Sequence, residues 1–144
     1  DAPVDIDKIV RVLQNLLDNA IKFSPSGSTV TIGAAACVGD QPCDCLPIEV
    51  PALPAGQWLV LWVRDQGPGI PAQYHERIFE KFGQVRGRKL RGTGLGLTFC
   101  KLAVEAHSGT IWLESSEGLG STFAFAVPLD RAGTPLAAEH ALAQ

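Results

Sequence analysis

Three short segments carry side chains that could do chemistry together. Asn15, Asn19 and Lys22 stand at i, i+4 and i+7, which puts two neutral amides and an ammonium on one stripe of a helix. An amide oxygen is a hard ligand and a lysine neutralises phosphate charge, so the stripe suits a magnesium-bound polyphosphate. A plain solvated polar face is the alternative. The second segment, Asp65-Gln66-Gly67-Pro68-Gly69-Ile70, follows directly on an apolar run. A carboxylate at a strand end can accept from an exocyclic amine, and glycines let backbone approach a flat base. A simple Gly-Pro turn is the competing reading. The third, Gly92-Thr93-Gly94-Leu95-Gly96-Leu97, opens a helical pattern. Free backbone N–H groups ahead of a helix can cradle phosphates, with the helix dipole behind them. No G-K-[ST] follows, so this is not a Walker loop, and no parallel βαβ strand precedes it, which excludes the dinucleotide fold.

Regular elements must position these segments. Ile6, Ile9, Val10, Leu13, Leu16, Leu17, Ala20 and Ile21 recur at helical spacing. Residues from about 5 to 23 are therefore predicted to form one amphipathic helix, its apolar face opposite the amide stripe. Asp5 is the expected N-cap, and Ser24-Pro25-Ser26-Gly27 the stop. Thr29 to Ala36 and Trp58 to Asp65 read as strands joined by an elongated hairpin connection rich in Pro and Cys. Residues 72 to 79 read as one short helix, and residues 83 to 94 lack periodicity. A second long helix runs from about Leu95 to His107, closed by Ser108-Gly109. Thr110 to Ser115 and Ser121 to Val127 read as closing strands around Glu117-Gly118-Leu119-Gly120. The expected fold class is α/β: a two-layer sandwich whose mixed, mostly antiparallel sheet carries helices on one face. Residues 1–129 are expected to form one domain, and the Ala-rich residues 130–144 a flexible tail.

The chain has 144 residues, enough for one domain and not for two. Apolar residues make up 46% and charged residues 19%, which excludes disorder over most of the length. Lys plus Arg is 12 against 15 Asp plus Glu, a net charge of −3, which excludes a globally basic nucleic-acid binder. No apolar run approaches the ~20 residues of a membrane helix. A start at Asp1 without Met or signal peptide leads us to expect a fragment of a longer protein. Cys37, Cys43 and Cys45 cluster, but C-x5-C-x-C matches no common zinc pattern and no fourth ligand stands nearby. They read as reduced thiols of a cytosolic insertion, with a metal or redox pair as the lesser alternative. Cys100 reads as a small buried hydrophobe.

Taken together, the segments resemble the catalytic and ATP-binding domain of sensor histidine kinases, within the wider group of gyrase, MutL and chaperone ATPases. Asn15-Leu16-Leu17-Asp18-Asn19-Ala20-Ile21-Lys22-Phe23 looks like the N box, and Asp65 to Ile70 like the G1 box. Ile78-Phe79-Glu80-Lys81-Phe82 is similar to the F box, Arg91 to Leu97 to the G2 box, and Gly118-Leu119-Gly120-Ser121-Thr122-Phe123 to the pattern of the last strands. The resemblance implies a Bergerat-type fold binding ATP and Mg2+. Asp65, supported by Thr122, would accept from the adenine amino group, with Phe23 and Ile70 walling the base beside Gly67 and Gly69. Asn19 would be the direct magnesium ligand with Asn15 beside it, and Lys22 would meet the phosphates. Arg91, Gly92, Thr93, Gly94, Leu95 and Gly96 would shape the phosphate cradle. Residues 83 to 91 would be a mobile lid, in which Arg86, Arg88, Lys89 and Arg91 either clamp the γ-phosphate or form a solvated basic loop.

One position separates kinase from hydrolase. The ATP-hydrolysing relatives carry a Glu where this chain has Asn15, because a water nucleophile needs a general base. An amide cannot take that proton, whereas a neutral histidine acceptor needs no base. The expected partners are thus a dimerisation segment with an acceptor His, and a response regulator downstream. Neither nucleic acid nor direct membrane contact is expected of this cytoplasmic fragment, although its parent could be membrane-tethered. The alternatives are a nucleotide-binding regulatory module without phosphotransfer, and an ATPase or anti-sigma-type serine kinase. His75, His107 and His140 stand in no acceptor-like context. The family's strand ahead of the first helix is mostly missing, so fewer strands are expected.

Overall fold

The computed structural model describes residues 6–41, 46–80, 84–85, 88–89 and 95–129. Along the chain come α1 (Ile6–Phe23), β1 (Thr31–Val38), β2 (Gln57–Arg64) and two 3-10 turns (Ala72–Tyr74 and Arg77–Phe79). The two-residue strands β3 (Gln84–Val85) and β4 (Arg88–Lys89) follow, then α2 (Leu95–Ala106), β5 (Thr110–Ser116) and β6 (Gly120–Leu129). The main sheet has the order β1-β2-β6-β5, with every neighbouring pair antiparallel. The α/β sandwich expected from sequence is borne out, and among the described strands of this sheet every neighbouring pair is antiparallel. β3 and β4 form a small ladder of their own.

One face of the sheet holds the helices. Val12, Leu16 and Ala20 of α1 meet Leu97, Cys100, Ala103 and Val104 of α2 over Val63, Phe123, Phe125 and Val127 of the strands. Asn19 belongs to this same buried stripe, only 5% exposed. The amide stripe is thus not opposite the apolar face, because residues 12, 16, 19 and 20 project within one narrow arc of a helix. Conversely, Ile6, Val10 and Ile21 fit the apolar spacing yet are exposed. The single helix expected over residues 72–79 is two separate 3-10 turns, each closed by i→i+3 bonds such as Tyr74 N–H to Pro71 O at 2.9 Å. Segments this short cannot offset the cost of nucleating an α-helix.

The opposite face is covered as well. Residues 46–54 of the elongated hairpin connection between β1 and β2 fold back over the sheet as a strap. Leu46, Ile48, Val50 and Leu53 pack on Trp58, Val60 and Trp62 of β2, Trp112 of β5 and Ala124 of β6. Trp112 Nε1 donates to Glu49 O at 3.1 Å, Trp58 Nε1 to Pro54 O at 2.9 Å, and an Arg64 guanidinium N–H to Pro47 O at 2.8 Å. Gly33 makes room for the Trp62 ring, with which any Cβ there would collide. Cys37, expected as a reduced thiol, is disulfide-bonded. Cys43 and Cys45 lie outside the described residues, and Cys100 is a free buried thiol.

Leu16 is fully buried between the helices and the sheet. Leu16→Ala should lower unfolding stability by about 2–5 kcal/mol through lost burial and the cavity left behind. Urea denaturation checks this, and a loss within error of zero would show that α1 does not pack as described.

Candidate functional site

The site begins where β2 ends. Asp65 shares the helix-side face of that strand with Leu59, Leu61 and Val63, and is 6% exposed. Its backbone N–H donates to Ser121 O at 2.8 Å, continuing the β2–β6 ladder by one residue. Its carboxylate Oδ1 accepts the Gly67 amide at 2.8 Å and the Ser121 amide at 3.2 Å. Oδ2 has no partner among the described residues. Burial pushes the carboxyl above its ordinary value of 3.8, and the two amides pull it back only in part.

Two loops interlock around this carboxylate. Pro68 O accepts the Gly118 amide at 2.7 Å, and Ile70 N–H donates to Ser115 Oγ at 2.7 Å. Gly69 (φ +78°) turns tightly over Ser116 O, and Gly120 (φ +93°) over Asp65 O. A Cβ at either would collide with those carbonyls, and neither φ suits an L side chain. His75 Nε2 lies 2.8 Å from Ile70 O and fixes the far side of the loop. Ile70 itself is buried.

α1 closes another side. Its last residue, Phe23, is 36% exposed, and its carbonyl lies so near Gly67 that an added Cβ would be 2.8 Å away. Among the described residues two buried side-chain polar atoms lack a partner, Asn19 Oδ1 and Ser24 Oγ, both near this end of the helix. An orphaned amide oxygen of this kind fits a hard cation such as Mg2+. Asn15 turns toward the start of α2, with its amide carbon 3.9 Å from where a Cβ on Gly96 would stand. It also hydrogen-bonds the Cys100 thiol, whose pKa burial nevertheless pushes up to about 12. Lys22 is exposed.

The expected residues are therefore only partly brought together. Asp65, Gly67, Gly69, Ile70 and the Phe23 carbonyl form one rim, and Asn15 with Gly96 forms the junction of the two helices. Arg91, Gly92, Thr93 and Gly94 lie outside the described residues, as do Arg86 and the side chains of Arg88, Lys89 and Leu95. Thr122 is on the strap-side face of the sheet, where its hydroxyl accepts from Arg64 Nε at 3.0 Å. The residue that touches Asp65 is its neighbour Ser121, which sequence reasoning missed, together with Ser115. The register could have found them: Arg64 pairs with Thr122, so Asp65 and Ser121 share the other face. A separate cavity of about 370 Å³, between β1 and the strap, has Asp40 as its charged lining residue among the described residues.

Comparison with known proteins agrees with this architecture. Residues 4–131 match the family of histidine kinase-, DNA gyrase B- and HSP90-like ATPases. The sensor histidine kinase WalK of Bacillus subtilis (strain 168) is 39% identical over 128 residues, covering 87% of this chain and 18% of that protein. The chain thus spans less than a fifth of that relative's length. Among solved structures, a mycobacterial sensor histidine kinase, MprB, superposes with TM-score 0.65 at 28% identity, covering 92% of this chain and 74% of that one. Full-length ShkA in complex with AMPPNP gives TM-score 0.67 at 28% identity, covering 90% and 23%.

The raised Asp65 carboxyl generates a pH prediction. A ligand that donates an amine to Asp65 needs the carboxylate ionised. Its affinity should fall on acidification while the pH is still above the 3.8 of an ordinary aspartate. For folding the sign is opposite: the protonated form adds stability below that value, and the gain is lost as pH rises through the raised pKa. Calorimetric titration with an aminopurine nucleotide from neutral to acid pH checks the binding arm. Asp65→Asn should bind more weakly with a flatter profile.

Proposed function

The chain belongs to the family of histidine kinase-, DNA gyrase B- and HSP90-like ATPases, and we propose that it is the ATP-binding catalytic unit of a sensor histidine kinase. The observation that carries this reading is the buried Asp65, with Oδ1 held by two amides and Oδ2 left for a donor. That arrangement suits the amino group of adenine, laid beside Ile70, with the Gly67 turn packed against Phe23 O behind the carboxylate. In this reading Lys22 meets the phosphates, and residues 91–96 cradle them ahead of α2. Asn19 would hold Mg2+ through its Oδ1, and the ion would neutralise charge on the phosphates.

Asn15 supports transfer to a histidine over hydrolysis. Its amide binds the Cys100 thiol and cannot deprotonate a water. The acceptor is then a histidine on a separate dimerisation segment of the parent protein, with a response regulator downstream. Of this chain's own described histidines, His75 is tied to Ile70 O, and His107 is buried with Nδ1 2.6 Å from Ala103 O. Among the described residues no helix is long and apolar enough to cross a membrane. On this reading the unit works in the cytoplasm.

Asp65→Asn should weaken ATP binding by about 1–3 kcal/mol, because the amide offers a donor where the base also donates. Unchanged affinity by calorimetry would remove adenine from this site. Asn19→Ala should weaken ATP binding in magnesium far more than in excess chelator, and equal losses would make Asn19 structural. Incubated with γ-labelled ATP, the chain alone should neither label itself nor release phosphate quickly. A dimerisation segment bearing its acceptor His, added in trans, should acquire an acid-labile label. An acid-stable label on this chain would favour a serine kinase, and fast phosphate release an ATPase.

A further inference from the structure

Arg64 lies on the strap side of the sheet, directly behind Asp65. Its Nε donates to Thr122 Oγ1 at 3.0 Å, and a terminal guanidinium N–H donates to Pro47 O at 2.8 Å. Arg64 and Thr122 are the last register pair of the β2–β6 ladder at this end. One residue further on, the Asp65 amide donates to Ser121 O and the Ser121 amide donates back to Asp65 Oδ1 at 3.2 Å. This is the longer of the two bonds that hold the carboxylate, since Gly67 donates at 2.8 Å. β6 begins at Gly120, so the Ser121 amide stands at a strand end, where a ladder opens most readily. The Arg64–Thr122 contact and the Asp65 carboxylate thus occupy opposite faces of the same strand end.

A guanidinium on a long stem holds little if the side chain must first be ordered. Here the strap orders it. Leu46 and Ile48 pack into the back-face core on either side of Pro47 and so fix the Pro47 carbonyl. One planar fork then reaches that carbonyl and the buried Thr122 hydroxyl together. We propose that Arg64 is a positioning residue: held by the strap, it binds Thr122 and thereby keeps the Ser121 amide on Asp65, so that the carboxylate presents Oδ2 in a fixed direction. The inference rests on the reading of Asp65 as the nucleotide anchor. Arg64 touches no ligand in this scheme and acts through Thr122 and the start of β6. The strap acquires a task beyond covering Trp58, Val60 and Trp62, because it sets the one side chain that locks this end of the ladder from behind.

The test measures ATP affinity in magnesium by calorimetry, and the urea midpoint, on the full chain and its variants. Thr122→Val removes the acceptor at nearly constant shape and charge, and should weaken ATP binding about three-fold or more. Thr122→Ser keeps the hydroxyl and should restore the affinity. Arg64→Lys keeps the charge but not the fork, and should weaken ATP binding to a similar extent. The Arg64→Lys/Thr122→Val double variant should lose no more than the larger single loss, because both changes cut one contact. Trp58→Phe is the control: it breaks the strap's bond at Pro54 O, at the other end of β2, roughly 20 Å away by strand rise. It should lower the urea midpoint and leave ATP affinity unchanged. Unchanged affinity in folded Thr122→Val, or a loss that Thr122→Ser does not restore, overturns the proposal. An equal loss in Trp58→Phe also overturns it, since the effect would then be general destabilisation. If Thr122→Val does not fold, Arg64→Lys decides by the same comparison with Trp58→Phe. Wild type that binds no ATP, or binds it no better than Asp65→Asn, overturns the reading of Asp65 as well. A weakened Asp65→Asn beside unchanged Arg64 and Thr122 variants leaves that reading intact and removes this one alone.

Discussion

A carboxylate taken out of water costs several kcal/mol unless donors are aimed at it, and the placement of Asp65 shows what that demands of a chain. One donor is local: the Gly67 amide, two residues on, reaches back in a turn that leaves no space for a side chain against Phe23 O. The other is Ser121, which arrives only if β6 lies beside β2 in the register that pairs Arg64 with Thr122. A slip of one residue would turn Ser121 to the wrong face and leave Oδ1 with one donor. The sheet register, the glycine turns at Gly69 and Gly120 and the lock between Pro68 and Gly118 thus all follow from housing a single charge.

The same sheet explains which parts were legible in the sequence. The two long helices and four main strands were visible, because long periodic segments announce themselves. The faces of the strands were not. Trp58, Val60 and Trp62 alternate with Leu59, Leu61 and Val63, and both sets are apolar because helices cover one face and the strap the other. A strand buried on both faces loses the in–out alternation that assigns side-chain direction. The family resemblance implies Thr122 as the support of Asp65, but Thr122 bonds Arg64 on the strap side, and Ser121 is the neighbour that donates to the carboxylate. The strap itself gave no periodic signal, since its anchors are tryptophan and arginine donors reaching backbone carbonyls.

Helix α1 presents the inverse case. Its chemistry is legible as residue types at helical spacing, but its orientation is not, because an asparagine ordinarily stands on a polar face. Asn19 instead sits among Val12, Leu16 and Ala20 with its oxygen unpartnered. Leaving a buried acceptor unsatisfied costs about 1–3 kcal/mol, and an alanine there would avoid it. Such an atom in an otherwise well-packed core is explained most simply by a ligand that completes it.

The leftover valences then define what that ligand must bring. Asp65 Oδ2 and Asn19 Oδ1 are both acceptors, while Lys22 and the start of α2 are positive. Complementarity at the first pair requires hydrogen-bond donors or a cation, and at the second an anion. A molecule with an amino-bearing base at one end and a metal-bound polyphosphate at the other satisfies each with opposite charge or polarity. A free sugar phosphate has no amino-bearing base to offer Asp65 Oδ2. In the proposed reading, the polarity of the unsatisfied atoms, more than the shape of any cavity, favours a ligand of this class.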